Sequence, residues 1–263
     1  MKLNAKLIGT ACLAALILVF GGCSNALDKL AAKLPQTQKS VAPTNAEMIT
    51  GLKEALTSGA TAASGTLSKS GGFSKSDAYK IFLPPEADAI VKNVKYLPGG
   101  QKLIDDTVER INVSAEAAAQ KAAPIFARAI SEMSITDAVG ILRGGDHAAT
   151  NYLQTKTGAQ LKTAFAPDVA QALNKPIIAG ISAENSWNTL TGNYNKAANS
   201  VAGKLAKLKP VQTSLDDYVL DKATDALFSE VAQEEAKIRA EPLTAAKDIV
   251  KKVFGYAKET LNK

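Results

Sequence analysis

Two carboxylates, Glu116 and Glu234, stand where an amphipathic helix would otherwise present only apolar side chains. Asn112 lies one turn before Glu116, on a ridge that continues through Ala119, Ala123, Phe126 and Ile130. A carboxylate on such a ridge must find partners or shift its pKa. Asn112 and Glu116 are therefore expected either to line a ligand cavity or to hydrogen-bond across a helix interface, with Arg239 or a lysine as partner. Glu234 falls between Val231 and Ile238 on a second apolar stripe. Were it to meet Glu116 in one cavity, the pair would suit glycoside hydrolysis or hold a cation. Glu235 and Arg239, four apart in acid-first order, are expected as a surface pair worth a few tenths of a kcal/mol.

The run Arg143-Gly144-Gly145-Asp146-His147-Ala148-Ala149-Thr150 sets a glycine-rich turn before a helix start, an arrangement that suits phosphate. Asp146 at the expected N-cap would repel an anion, so the glycines are read as a corner between two helices. His147 is expected to face solvent.

The mature chain excludes several chemistries. Of its two cysteines, Cys12 lies within the leader and Cys23 at the leader's end, so neither supplies a free thiol, a disulfide or a metal thiolate. His147 is the single histidine, too few for a multi-histidine metal site. No G-x-S-x-G marks a nucleophile. No metal, cofactor or catalytic set is expected. Losing Lys2 and Lys6 with the leader leaves 29 basic against 25 acidic residues, interspersed and poor in aromatics, which argues against a nucleic-acid partner.

The leader itself is legible. Lys2 and Lys6 precede an apolar stretch from Leu7 to Phe20, then Gly21, Gly22 and Cys23, which is the pattern of an export signal. The stretch is short of the roughly 20 residues a span needs. Phe20-Gly21-Gly22-Cys23 resembles the lipobox of bacterial lipoproteins, which implies a diacylglycerol thioether on Cys23 and acylation of its amino group. Acyl chains at about 0.8 kcal/mol per buried methylene would anchor the chain stably. Ser24 after the cysteine resembles the pattern sent on to the outer membrane in diderm bacteria. The expected division is a signal peptide at 1–22, a lipidated cysteine and tether at 23–46, and a helical domain at 47–263. The tether, with Pro35 and Pro43, would span roughly 25 Å if flexible.

What must position the candidate residues is a set of helices. Thr44-x-x-Glu47, Ser74-x-x-Asp77, Ser134-x-x-Asp137 and Ser214-x-x-Asp217 each place a hydroxyl at an N-cap and a carboxylate at N3. Stops fall at Gly71-Gly72, Gly99-Gly100 and Gly144-Gly145. A stripe through Ile104, Val108, Ile111, Ala115, Ala118, Ala122, Ile125, Ala129 and Met133 predicts a long packed helix, broken near Ala123 by Pro124. A second helix is predicted from Leu215 to Ala240, and a C-terminal amphipathic one through Ile249, Val253 and Phe254. The fold class is all-α: one multi-helix domain with at most one short extended segment, near 79–83.

The order of these pieces resembles the bacterial domain-of-unknown-function family 4197. The resemblance rests on Gly71-Gly72-Phe73, Leu83-Pro84, Asn112 with Ala115-Glu116, Ile125-Phe126, Asp137-Ala138, Gly144-Gly145-Asp146, Ala149-Thr150 with Tyr152, Leu227-Phe228, Glu234-Glu235, Ile238-Arg239, Pro242 and Val253-Phe254-Gly255. The candidate ligand-binding or buried polar residues are Asn112, Glu116, Asp137, Asp146, Thr150, Tyr152, Glu234, Glu235 and Arg239. Val113 and Leu243-Thr244 stand where the family customarily carries arginines, so an anionic site built on those arginines is not expected here. The resemblance brings no activity. The expected role is a non-catalytic binding or structural module of the cell envelope, held to the membrane by its lipid and meeting another envelope protein or a cell-wall component. Alternatives are a carrier or sensor of an apolar small molecule between helices, and a carboxylate-based hydrolase.

Overall fold

Thr44 opens the first helix by a reciprocal cap: its hydroxyl accepts from the Glu47 amide while the Glu47 carboxylate accepts from the Thr44 amide. The computed structural model describes residues 42–88, 91–92, 98–178 and 180–261. The leader, Cys23 and the tether as far as Val41 lie outside the described residues. Helix α1 (Asn45–Leu67) is followed by turns and an extended connector, a 3₁₀ turn (Pro85–Ala87), then α2 (Gly100–Ala119), α3 (Ala122–Ser131), α4 (Ile135–Arg143) and α5 (Ala148–Asn174). A two-stranded ribbon, β1 (Pro176–Ile178) with β2 (Ile181–Ser182), leads to α6 (Ala183–Asn199), α7 (Val201–Leu205), α8 (Leu215–Ala240), a 3₁₀ turn (Pro242–Thr244) and α9 (Asp248–Tyr256). The fold is mainly α, and residues 42–263 form one unit with its own core.

Helix α1 carries small residues at every fourth position, Gly51, Ala55, Gly59 and Ala63, and this flat ridge lets α8 and α9 approach closely. A Cβ on Gly51 would stand 2.6 Å from Val253 Cγ2, and one on Gly59 would stand 3.3 Å from the Cβ of Glu234. Helix α5 lies along both α2 and α8, and α3 completes the packing against α1 and α5. Phe126 of α3 meets Phe228 of α8 edge to face, centroids 5.9 Å apart. At the chain ends, Lys252 of α9 pairs with Glu47 at 2.6 Å, and Lys247 pairs with Glu54. The Lys252 ammonium and the Thr44 amide hold the Glu47 carboxyl down at about 2. That pair therefore persists through the ordinary carboxylate range and is lost only as pH falls toward that value.

Several expectations change. Ser74 starts no helix, because its hydroxyl and amide are drawn to Glu116 instead. The α2–α3 break falls at Gln120-Lys121 rather than near Ala123, and Pro124 sits in the first turn of α3, where a missing amide removes no bond. Segment 79–83 forms no strand, Tyr79 lying in a turn, whereas the unexpected ribbon forms at 176–182. There Pro176 forces Lys175 out of the helical region, and Gly180 at φ 78° makes the return turn. Pro167 lies inside α5 without ending it. Beside it, Lys121 donates to the Ala164 carbonyl at 3.2 Å and pairs with Asp168 at 2.7 Å, bracing the helix where the ladder is interrupted.

Candidate functional site

Both carboxylates buried among the described residues, Glu116 and Glu235, are occupied by the chain itself. Glu116, 7% exposed, projects from α2 into the turn that follows α1. Its Oε1 accepts from the amides of Gly71, Phe73 and Ser74 at 3.1, 3.2 and 3.0 Å, and from the Ser74 hydroxyl at 3.0 Å. The turn has converging amides because Gly71 adopts φ 90° and Gly72 approaches so closely that a Cβ would stand 2.4 Å from the Leu67 carbonyl oxygen. Such a nest ordinarily binds an anion, and here the anion is Glu116.

Asn112, fully buried one turn earlier, treats residue 81 as a neighbouring strand would. Its Oδ1 accepts from the Ile81 amide at 2.8 Å, and its Nδ2 donates to the Ile81 carbonyl at 2.8 Å and to the Val108 carbonyl at 2.7 Å. The expected cross-helix bond to Arg239 or a lysine is thus replaced by bonds to the connector. Together Asn112 and Glu116 rivet residues 71–81 to α2.

Glu235 overturns the expectation of a surface pair. It is 6% exposed, and the Arg239 side chain is 8% exposed, with 2.8 Å between guanidinium and carboxylate. Glu235 also accepts from the amides of Ala149 and Thr150 at 3.0 and 2.8 Å and from the Thr150 hydroxyl at 2.8 Å. Arg239 donates to the Ile141 and Gly144 carbonyls at the end of α4, at 2.9 and 3.4 Å, and lies 5.9 Å over the Phe254 ring. An anion therefore meets the positive start of α5 and a cation meets the negative end of α4, both supplied by α8. His147 at the α5 N-cap makes no side-chain cap, and Asp146 is exposed rather than capping. The start of α5 is not open to phosphate, since the Ala149 and Thr150 amides already hold Glu235 and the Gly144 amide is bonded to the Ile141 carbonyl.

The remaining candidates are scattered. Glu234 pairs with Lys237 at 2.7 Å and borders α1 at Gly59, and it shares no hydrogen-bond or ion-pair partner with Glu116. Asp137 caps α4 with Ser134, and the Ser134 hydroxyl and amide keep its carboxyl below the usual range. It borders a polar hollow of about 200 Å³ with Arg128, Glu132, Tyr152 and Lys156. Burial pushes the Tyr152 phenol up, aided by Asp137 and Glu132. In this hollow Arg128 is paired with Glu132 at 3.0 Å and Lys156 lies 5.7 Å over Tyr152. Among the described residues no cluster of histidine, cysteine or carboxylate has the makings of a metal site.

The surface that stands open was not anticipated. Phe82, next to the riveted Ile81, is 61% exposed. It borders a groove of about 420 Å³ between the connector and α8, with Tyr79, Lys80, Tyr218, Lys222 and Asp225. Lys80 stands 5.6 Å over the Phe82 ring and Lys222 5.7 Å over that of Tyr218. Burial raises both phenols, Tyr79 and Tyr218. The alternation Tyr79-Lys80-Ile81-Phe82 was the available signal, since period-two spacing beside Pro84-Pro85 puts Ile81 inward and its neighbours outward.

No curated protein and no solved structure matches the chain. A family model described as "Protein of unknown function (DUF4197)" matches residues 42–255, which is most of the described domain. The matched span carries the Glu116 nest, the Asn112 clasp and the Glu235–Arg239 corner, and on that match the chain belongs to the DUF4197 family.

Proposed function

We propose that this chain is an exported, lipid-anchored envelope protein whose helical domain is a non-catalytic binding module, and that an acidic, extended segment of another envelope protein lies in the groove beside Phe82. The observation that carries the reading is the exposed Phe82 ring on backbone clamped by Asn112. A large aromatic held in place before binding loses little conformational freedom on association, and such residues are typical hot spots. Lys80 and Lys222 flank the aromatics and favour an acidic occupant. A photoreactive residue at position 82 should give one protein adduct in intact envelopes, diminished by Lys80→Glu with Lys222→Glu. Phe82→Ala should weaken binding of the recovered partner by about 2 kcal/mol without lowering the melting temperature. An equal adduct from position 92, or an adduct to cell-wall glycopeptide alone, would defeat the protein-partner reading.

The anchor rests on Phe20-Gly21-Gly22-Cys23. No described helix is long and apolar enough to cross a membrane. Metabolic labelling with a fatty-acid analogue should mark the wild type and not Cys23→Ala, and the variant should accumulate as precursor or be cut irregularly. Equal label in both, or none in the wild type, would show the lipobox reading to be wrong. The small-molecule alternative has less support. The apolar hollow between Leu83, Leu103, Ile104, Trp187 and Leu215 measures about 70 Å³, whereas a cavity holding benzene is about 150 Å³.

A further inference from the structure

The region from the end of α6 through α7 to Pro210 combines exposed aliphatic side chains with unpaired lysines. From Asn185 to Leu215 the chain has four lysines, Lys196, Lys204, Lys207 and Lys209, and no aspartate or glutamate. All four are exposed, and none is in an ion pair among the described residues. Interleaved with them are Val201 at 78% exposure, Leu205 at 80% and Leu208 at 40%. Val201 and Leu205 stand one turn apart on the same face of α7.

The backbone here is firmly held. Ser200 caps α7 by accepting from the Gly203 amide at 3.1 Å. Gly203 packs on the end of α6 so tightly that a Cβ would stand 2.2 Å from the Ala197 carbonyl oxygen. The helix closes with Leu208 N donating to Gly203 O at 2.9 Å and Lys207 N to Lys204 O at 3.1 Å, the double closure that calls for a left-handed residue between them. That residue is Lys207, at φ 56°. Glycine normally takes such a place, and the other positive-φ residues among those described, 71, 99 and 180, are glycines. Lysine at this position sacrifices local stability and gains only an outward cation.

We propose that this tip docks on the surface of an anionic phospholipid bilayer, with Val201, Leu205 and Leu208 entering the interface and the four lysines meeting headgroup phosphates. A bilayer surface rewards both features, since it offers negative charge and an apolar layer beneath it. Nucleic acid would leave the aliphatic side chains in water, and an acidic polypeptide would cover them only with apolar residues of its own. The contact is independent of the groove at Phe82 and of the lipid on Cys23.

The test uses residues 42–263, the unit that contains the whole core, in co-sedimentation with vesicles rich in phosphatidylglycerol and with phosphatidylcholine vesicles. Binding should require phosphatidylglycerol and weaken with added salt. Lys204→Glu with Lys207→Glu should lower partitioning more than about tenfold, each lysine being worth roughly fivefold at such a surface. Val201→Ser with Leu205→Ser should lower it several-fold. Lys69→Glu with Lys92→Glu, which makes the same change in net charge away from the tip, should do little. Lys207→Gly is the sharpest arm, because it should lower partitioning roughly fivefold while leaving the melting temperature unchanged or higher. Equal losses from the tip and control reversals, equal binding to both vesicle types, or binding to polyglutamate but not to vesicles would each overturn the proposal.

Discussion

Glu235→Ala should be the most damaging single substitution in the domain, lowering unfolding free energy by about 3–5 kcal/mol, the range for breaking one side of a buried ion pair. In a domain of this size that corresponds to a melting temperature lower by roughly 10 °C. Arg239 would be left buried without its counter-charge, and the Ala149 and Thr150 amides would lose their acceptor. Thermal denaturation of residues 42–263 measures the effect. Glu235→Gln with Arg239→Met removes both charges and should recover part of the loss, since an apolar or neutral pair avoids the unpaired cation. A Glu235→Ala protein that melts within a degree or two of the wild type would mean that the α4–α5 corner does not depend on the pair.

Glu116→Ala comes second, at about 2–4 kcal/mol. It removes the acceptor of three amides and a hydroxyl, but Gly71 and Ser74 are only half buried, and water can reach part of the vacated nest. Its distinctive sign should be local. Amide hydrogen exchange should quicken over residues 71–81 before the rest of the domain is affected. Global loosening with no preference for that stretch would show that the nest has no separate role.

Helix ends were legible wherever a capping pair acts within its own turn. Thr44 with Glu47 and Ser134 with Asp137 cap as the motif predicts, and α8 begins after Ser214 and ends at Ala240. The starts of α6 and α7 escaped notice because Ser182 and Ser200 cap without an acidic residue at N3. The site was harder, because its carboxylates answer to distant backbone. Glu116 and Ser74 are 42 positions apart, and Glu235 and Thr150 are 85 apart, separations over which periodicity carries no information. The choice between Glu234 and Glu235 turned on the stripe chosen. Spacings through Leu220, Ala223, Leu227, Val231 and Ile238 admit Glu234. The fourfold ridge Leu215, Val219, Ala223, Leu227, Val231 runs straight into Glu235 and Arg239. An acid-first pair four apart reads as a surface pair by default, and only that ridge announces its burial.

The corner at residues 141–150 also bears on the order in which the domain is completed. Helix α5 has no cap of its own, and the carboxylate that completes it lies 85 positions later. Helix α1 caps itself, but one flank waits for α9, whose Lys252 meets Glu47 across 205 positions. A chain delivered amino terminus first, from a ribosome or through a narrow channel, thus lacks the α8 and α9 flank of its first helix and has its α5 start uncovered until the last helices arrive. Assembly is therefore expected to follow delivery rather than accompany it, and a chain cut short before α8 should be a ready target for proteases.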